Sequence, residues 1–203
     1  MQKLLIATSN AGKVAQYRKG LEDLGLELVS LKDLGFSPVE ETGSTFEENA
    51  LLKARAYFNQ SGLPCIADDG GLEIDFLGGK PGITSRRWKT GDEQVTDQEL
   101  VEFTIEQMRG VPVEKRTARF SMAMTFVDAD GKEHVAHAST EGYVPLQASN
   151  TILPHLPFDS VLFIPQFGKT RSELTQEQYE SISQRFLALK KLKPIIAEAL
   201  CGN

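Results

Sequence analysis

The sequence predicts an α/β protein, and three observations carry that prediction. Short apolar runs of strand length alternate with longer segments of helical period; three of the helical segments open on a capping box; and the middle of the chain changes to a period of two. Lys3 to Thr8 reads as a short buried strand, Ser9 to Gly12 as a turn, and Lys13 to Leu24 as a helix with Val14, Tyr17, Leu21 and Leu24 on one face. Gly25 is placed to end it. Leu26 to Ser30 is a second strand, and Leu34 to Gly43 is a loop rich in turn residues that carries Glu40 and Glu41. Thr45 and Glu48 then form a T-x-x-E box ahead of a helix whose face is Phe46, Ala50, Ala54 and Tyr57 or Phe58.

Cys65 to Ala67 suits a buried strand that ends at Asp68 and Asp69, with Gly70-Gly71 as a sharp turn beyond them. Leu72 to Leu77 alternates as a strand, and Gly78 to Gly82 is a glycine-rich loop followed by Arg86, Arg87 and Trp88. Thr96 and Glu99 cap the next helix, and from Ala118 the alternation of Phe120, Met122, Met124 and Phe126 marks a strand that turns at Asp128-Ala129-Asp130-Gly131 and pairs back over Glu133 to Thr140. Pro145 to Pro157 is irregular, Val161 to Pro165 a short strand, and Gly168-Lys169-Thr170 a basic turn. The last helix opens on Thr175 and Gln178, carries Ile182, Phe186, Leu189 and Leu192, and is expected to kink or end at Pro194.

Composition excludes several classes of function. With 203 residues, 40% apolar and 25% charged, the chain has the make-up of an ordinary soluble globular domain, one domain or one domain of two lobes. The 22 basic and 28 acidic residues give a net charge of −6, the wrong sign for non-specific binding to a nucleic acid polymer. Two cysteines, Cys65 and Cys201, make neither a disulfide framework nor a zinc site. No apolar run approaches membrane-spanning length and no signal peptide leads the chain, so a cytoplasmic protein is expected.

The chemistry is expected at Asp68-Asp69. Two adjacent carboxylates repel each other, and a divalent cation or a raised pKa relieves the repulsion; the same residues also suit a polar hairpin turn. At the first strand-turn-helix, helix-start amides and Lys13 make an anion site, although this is not a G-x-x-x-x-G-K-[ST] loop and many such turns bind nothing. From the residues alone, Glu40 and Glu41 read as a solvated acidic loop rather than as ligands, and Lys53 as a solvated helix lysine. His134 and His137 are an odd number apart in a strand and so face opposite sides, which makes no metal pair.

Five stretches taken together, Thr8 to Lys13, Glu40 to Ala50, Ile66 to Leu72, Gly78 to Gly82 and Gly168 to Thr170, resemble the inosine triphosphate pyrophosphatase (XTP/dITP diphosphatase) family over Met1 to about Leu189. The resemblance implies an elongated α/β fold of two lobes around a substrate cleft, with a central mixed sheet flanked by helices, in a single domain over 1–203 that forms a homodimer. It also implies Mg²⁺-dependent hydrolysis of non-standard purine nucleoside triphosphates to the monophosphate and pyrophosphate, a cleansing of the nucleotide pool.

By the same resemblance Thr8, Ser9, Asn10, Gly12 and Lys13 bind phosphate, Glu40 and Asp69 hold the metal, and Asp69 is the catalytic base. Lys53, Gly70, Arg87 (or Arg86), Phe158, Asp159, Lys169, Ser183, Gln184 and Arg185 contact substrate. Four departures stand out: Gln16 where the family has Glu, Gly70 where it has Ser, Leu156-Pro157-Phe158-Asp159-Ser160 where it reads Phe-Gly-Tyr-Asp-Pro, and Gln184 in place of a histidine. The last two fall where the base is held, so a shifted base preference is expected. The alternative is a nucleotide-binding or sensing protein of the same fold with weak turnover.

Overall fold

The computed structural model describes residues 1–89 and 95–202; the side chain of Arg86 lies outside the described part. The chain divides into two compact units, one formed by Met1–Asp69, Met122–Ala138 and Gln184–Asn203, the other by Gly70–Ser121 and Ser139–Ser183. Both are α/β. Strands β1 (Lys3–Ile6), β2 (Glu27–Ser30), β3 (Cys65–Ile74), β4 (Lys80–Pro81), β5 (Thr117–Val127), β6 (Glu133–Tyr143), β7 (Phe163–Ile164) and β8 (Lys169–Thr170) form a sheet of order β2-β1-β3-β5-β6-β7-β8, with β4 paired to β3. The sheet is mixed: β1 runs parallel to β2 and β3, whereas β4 on β3, β7 on β6 and β8 on β7 are antiparallel.

In the first unit, Leu4 and Ile6 on one side of β1 pack with Tyr17, Ile66, Phe126, Leu189 and Leu192, while Leu5 on the other packs with Ala54, Tyr57 and Cys65. Strict alternation thus puts both faces of β1 in apolar surroundings, which its all-apolar sequence requires. The helices that close these cores are α1 (Ala11–Gly20), α3 (Phe46–Ser61) and α6 (Gln184–Cys201), with a single turn, α2 (Leu31–Leu34), between β2 and the acidic loop. In the second unit, Leu72, Ile74, Leu100, Phe120, Phe158 and Leu162 make one core with α4 (Asp97–Gln107) packed on it. A short α5 (Gln176–Ile182) ends this unit.

Several elements depart from the sequence expectation. β3 does not stop at the aspartates: it runs through Gly70 and Gly71 to Ile74, so Asp68 and Asp69 lie within a strand. Gly71 is there for proximity, because a Cβ would sit 2.4 Å from Ser85 Oγ and 2.6 Å from the Gly82 carbonyl oxygen. The helix expected from Lys13 begins at Ala11 and passes into a 3₁₀ turn at Glu22–Leu24, while the expected strand over Leu72 to Leu77 gives way to a 3₁₀ turn at Asp75–Leu77. Of Val161 to Pro165 only Phe163–Ile164 pairs, and Lys169-Thr170 is a strand beside it rather than a turn. The final helix is interrupted at Ser183, which is extended, and α6 then continues past Pro194 to Cys201. Burial of Leu192, Ile196 and Leu200 on both sides of Pro194 offsets the lost hydrogen bond. Among the described residues no helix is long and apolar enough to cross a membrane.

Candidate active site

Asp68, in the middle of β3, is the hub of a buried cluster in the first unit and is only 2% exposed. Lys13 Nζ donates to its Oδ2 at 2.7 Å, Arg185 Nη2 donates to the same oxygen at 3.2 Å, and the Tyr17 hydroxyl donates to Oδ1 at 2.8 Å. Burial by itself would raise this carboxyl, but the charges of Lys13, Arg185 and Lys53 overcome that and hold it well below the usual carboxylate range. Asp68 is therefore ionised, and its work is to fix two cations. Burial draws Lys13 below the ordinary lysine value, opposed by Asp68, and pushes the Tyr17 phenol up.

Local structure explains why Lys13 arrives there. Asn10 caps α1, its side chain accepting from the Lys13 amide at 3.1 Å, and Thr8 Oγ1 accepts from the Asn10 amide at 3.2 Å. Lys13 thus stands in the first turn of α1, beside helix-start amides that carry partial positive charge. Tyr17, four residues on, lies on the same face, while Gln16 Oε1 accepts a hydrogen bond from Arg185 Nη1. Ser9, Ala11 and Gly12 are exposed.

Asp69 points to different partners. Lys53 Nζ lies 3.9 Å from its Oδ1 and donates at 3.0 Å to Glu41 Oε1, and Asn49 Nδ2 donates to Asp69 Oδ2 at 3.0 Å. Burial raises the Asp69 carboxyl; Lys53 opposes that rise and Glu41 adds to it. Lys53 is 8% exposed, so the solvated-lysine reading does not hold: α3 aims it inward at two carboxylates. The acidic loop is pinned from below, since the Gly43 amide donates to Asn49 Oδ1 at 2.7 Å and a Cβ on Gly43 would meet that oxygen at 2.7 Å. Thr45 caps α3 as expected, but Glu48 closes on Ser44 rather than on the Thr45 amide. Glu40 is exposed on this loop; it is Glu41 that reaches Lys53. Sequence reasoning passed over Tyr17, Asn49 and Glu41. The apolar periodicity hid Tyr17, whose hydroxyl matters here, and no local pattern tells which of two adjacent exposed glutamates reaches Lys53.

The remaining expected residues divide by exposure. Arg87, in a 3₁₀ turn over Gly82–Arg87, and Lys169, in β8, are exposed. The glycine-rich loop approaches its own chain: the Gly82 carbonyl accepts from Ser85 Oγ at 2.6 Å. Phe158 and Asp159 are buried at 6% and 2% in a 3₁₀ turn over Pro157–Val161, and Ser183 is fully buried at the end of α5. Ser183 Oγ and Gln184 Oε1 are buried without a hydrogen-bond partner, a costly condition that a bound polar group would relieve.

The carboxylates of Asp69, Glu40 and Glu41 offer only hard oxygen donors. Among the described residues no group of three or more His, Cys, Asp or Glu could hold a metal ion by itself. That donor set suits Mg²⁺, which is usually held by one or two carboxylates together with substrate phosphates and water.

Comparison with known proteins agrees with this chemistry. The dITP/XTP pyrophosphatases of Salmonella typhimurium and Escherichia coli K12 are 44% and 42% identical over 194 residues, 95% of this chain and 96% of each of theirs. The solved structure of a HAM1 protein from Coxiella burnetii superposes with a TM-score of 0.88 at 29% identity, covering 98% of this chain and all of that one. A dITP/XTP pyrophosphatase from Mycobacterium abscessus gives 0.76 at 34% identity, over 95% of this chain and all of that one. The Ham1 family model matches residues 4–195, and the chain belongs to the Ham1 family.

Proposed function

We propose that the protein hydrolyses nucleoside triphosphates carrying deaminated purines, such as dITP, ITP and XTP, to the nucleoside monophosphate and pyrophosphate. The observation that carries this reading is the cluster on β3: Asp68 holding Lys13 and Arg185, with Asp69 beside Lys53. Three cations converge on two neighbouring carboxylates of opposite condition, one held ionised and one raised. The first has the character of a scaffold, the second that of a general base. The relatives named dITP/XTP pyrophosphatase support the same substrate class.

In the reaction, Asp69 takes the proton of the attacking water as the α–β phosphoanhydride breaks and pyrophosphate leaves. Lys13 and the α1 amides, with Thr8, Ser9, Asn10 and Gly12, meet phosphate oxygens, and Lys53 and Arg185 add fixed positive charge. Asp69 and Glu40 would hold Mg²⁺, and Glu41 stands next to the latter in the same loop. When bound, the ion supplies charge neutralisation at the phosphates. Gly70, Arg87, Phe158, Asp159, Lys169, Ser183 and Gln184 are assigned to the substrate. Gln184, which both donates and accepts, serves the base and broadens the preference beyond that of a histidine at this place. A homodimer working in the cytoplasm completes the reading. The free thiols Cys65 and Cys201 suit such a reducing compartment.

The test is a panel of ITP, XTP, GTP, ATP and pyrimidine triphosphates with Mg²⁺. Purine triphosphates are expected to be cleaved, with ITP and XTP preferred over GTP by less than about 100-fold, or about 2.7 kcal/mol. EDTA should stop turnover and leave the thermal midpoint in place. Unfolding on chelation, or cleavage of pyrimidine substrates alone, contradicts the proposal.

A further inference from the structure

Arg171 is among the largest fully buried side chains of the protein, and no part of the chemistry described so far uses it. It opens the 3₁₀ turn Arg171–Glu173 directly after β8, where Thr170 and Glu173 make a capping box and the Arg171 amide donates to the Leu162 carbonyl at 2.9 Å. Its guanidinium carbon lies 4.5 Å from the ring centre of Phe120 and 4.5 Å from that of Tyr179. Nη2 donates to the Tyr179 hydroxyl at 2.9 Å, and Nη1 lies 3.5 Å from Asp159 Oδ1, the two side chains being 2% and 3% exposed.

A core position filled for stability alone is better served by an apolar side chain, because a buried ion pair barely repays its desolvation. Here the cost is larger still, since Arg171 Nε is buried with no partner. What the guanidinium does is tie together segments that carry assigned substrate contacts. Its charge faces Asp159, next to Phe158 in the Pro157–Val161 turn. Its hydrogen bond fixes Tyr179, whose carbonyl in turn accepts from the Ser183 amide at 2.8 Å. Its own backbone follows Lys169 by two residues. Arg's planar fork, stacked between two rings, sets the angle of each contact in a way a lysine ammonium does not.

We infer that Arg171 is a positioning residue for base recognition, setting where Phe158, Asp159 and Ser183 stand and through them which purine is accepted. The inference rests on the proposed assignment of those three residues to the substrate. It is a role for a residue that does not itself touch the nucleotide.

The experiment compares wild type, Arg171→Lys, Asp159→Asn and the double variant Arg171→Met with Asp159→Asn; changes in the double variant are read against Asp159→Asn alone, which carries the loss of the Asp159 contact itself. Thermal midpoints are measured with KM and kcat for ITP and GTP. Arg171→Lys keeps a positive charge opposite Asp159, and the double variant removes both charges together, so at least one is expected to fold. In a folded variant the KM for ITP should rise about tenfold, kcat fall by no more than about threefold, and the ITP to GTP ratio of kcat/KM change at least threefold. Lysine should recover the midpoint lost on removing the pair but not the ratio. A folded variant with wild-type KM and wild-type ratio overturns the inference and leaves Arg171 a core ion pair. A wild-type enzyme that releases pyrophosphate yet cleaves purine and pyrimidine triphosphates alike overturns instead the assignment of base contacts, and this inference falls with it.

Discussion

At the scale of single residues, the two aspartates of β3 differ in what surrounds them, and the difference assigns their work. Asp68 is held by Lys13, Arg185 and the Tyr17 phenol, whereas Asp69 lies 3.9 Å from Lys53 and accepts from the amide of Asn49. Asp69→Asn should therefore lower pyrophosphate release by about 10²–10⁴-fold while thermal unfolding stays near wild type; near-normal turnover would remove Asp69 from the mechanism. Asp68→Asn should act on the fold as well as on the substrate, because the buried Arg185 and the part-buried Lys13 both lose their carboxylate. A loss of roughly 3 kcal/mol is expected as a lower urea midpoint at unchanged slope, together with a higher KM for the triphosphate. An Asp68→Asn protein as stable as wild type, with unchanged KM, would contradict the hub. The sequence exposed the carboxylate pair plainly. It did not expose the separation of their roles, because that depends on Arg185, 117 positions away from Asp68.

Among the elements, helix starts were the most legible feature, because a cap is written in four adjacent residues. Thr96 with Glu99 and Thr175 with Gln178 form complete boxes. Strand ends were the least legible. Gly70-Gly71 has turn composition but extended geometry, and the reason, the close approach of Gly82 and Ser85, comes from further along the chain. The α4 cap makes a prediction of its own. Hydrogen bonds from the Thr96 amide and hydroxyl do most to lower the Glu99 carboxyl, and Lys89 adds to them, bringing it to about 2. A carboxyl lowered on folding contributes stability that is fully present above its unfolded value, near 4.3, and that is lost as pH falls through about 2. Glu99→Gln should accordingly have a lower thermal midpoint than wild type at pH 7, with the difference shrinking between pH 4 and pH 2. A difference that does not vary with pH would show that the charge of Glu99 contributes nothing.

For the molecule as a whole, the α/β class follows from alternating strand and helix periods, the mixed sheet was implied only by the family resemblance, and that resemblance, drawn from five short stretches, is borne out by the match to the Ham1 family over residues 4–195. The division into two units left no trace in composition, for a physical reason: three of its four boundaries fall inside β3, β5 and β6, where the chain has strand sequence and no linker, and the fourth falls at Ser183, between α5 and α6. The account's central claim is that the β3 cluster cleaves a triphosphate between its α and β phosphates. The most direct test is to identify the phosphorus-containing products of ITP and Mg²⁺ by ³¹P NMR, with Asp69→Asn as control. Inosine monophosphate and pyrophosphate in equal amounts, absent from the control, is the predicted result; inosine diphosphate with inorganic phosphate, or no product at all, would contradict it.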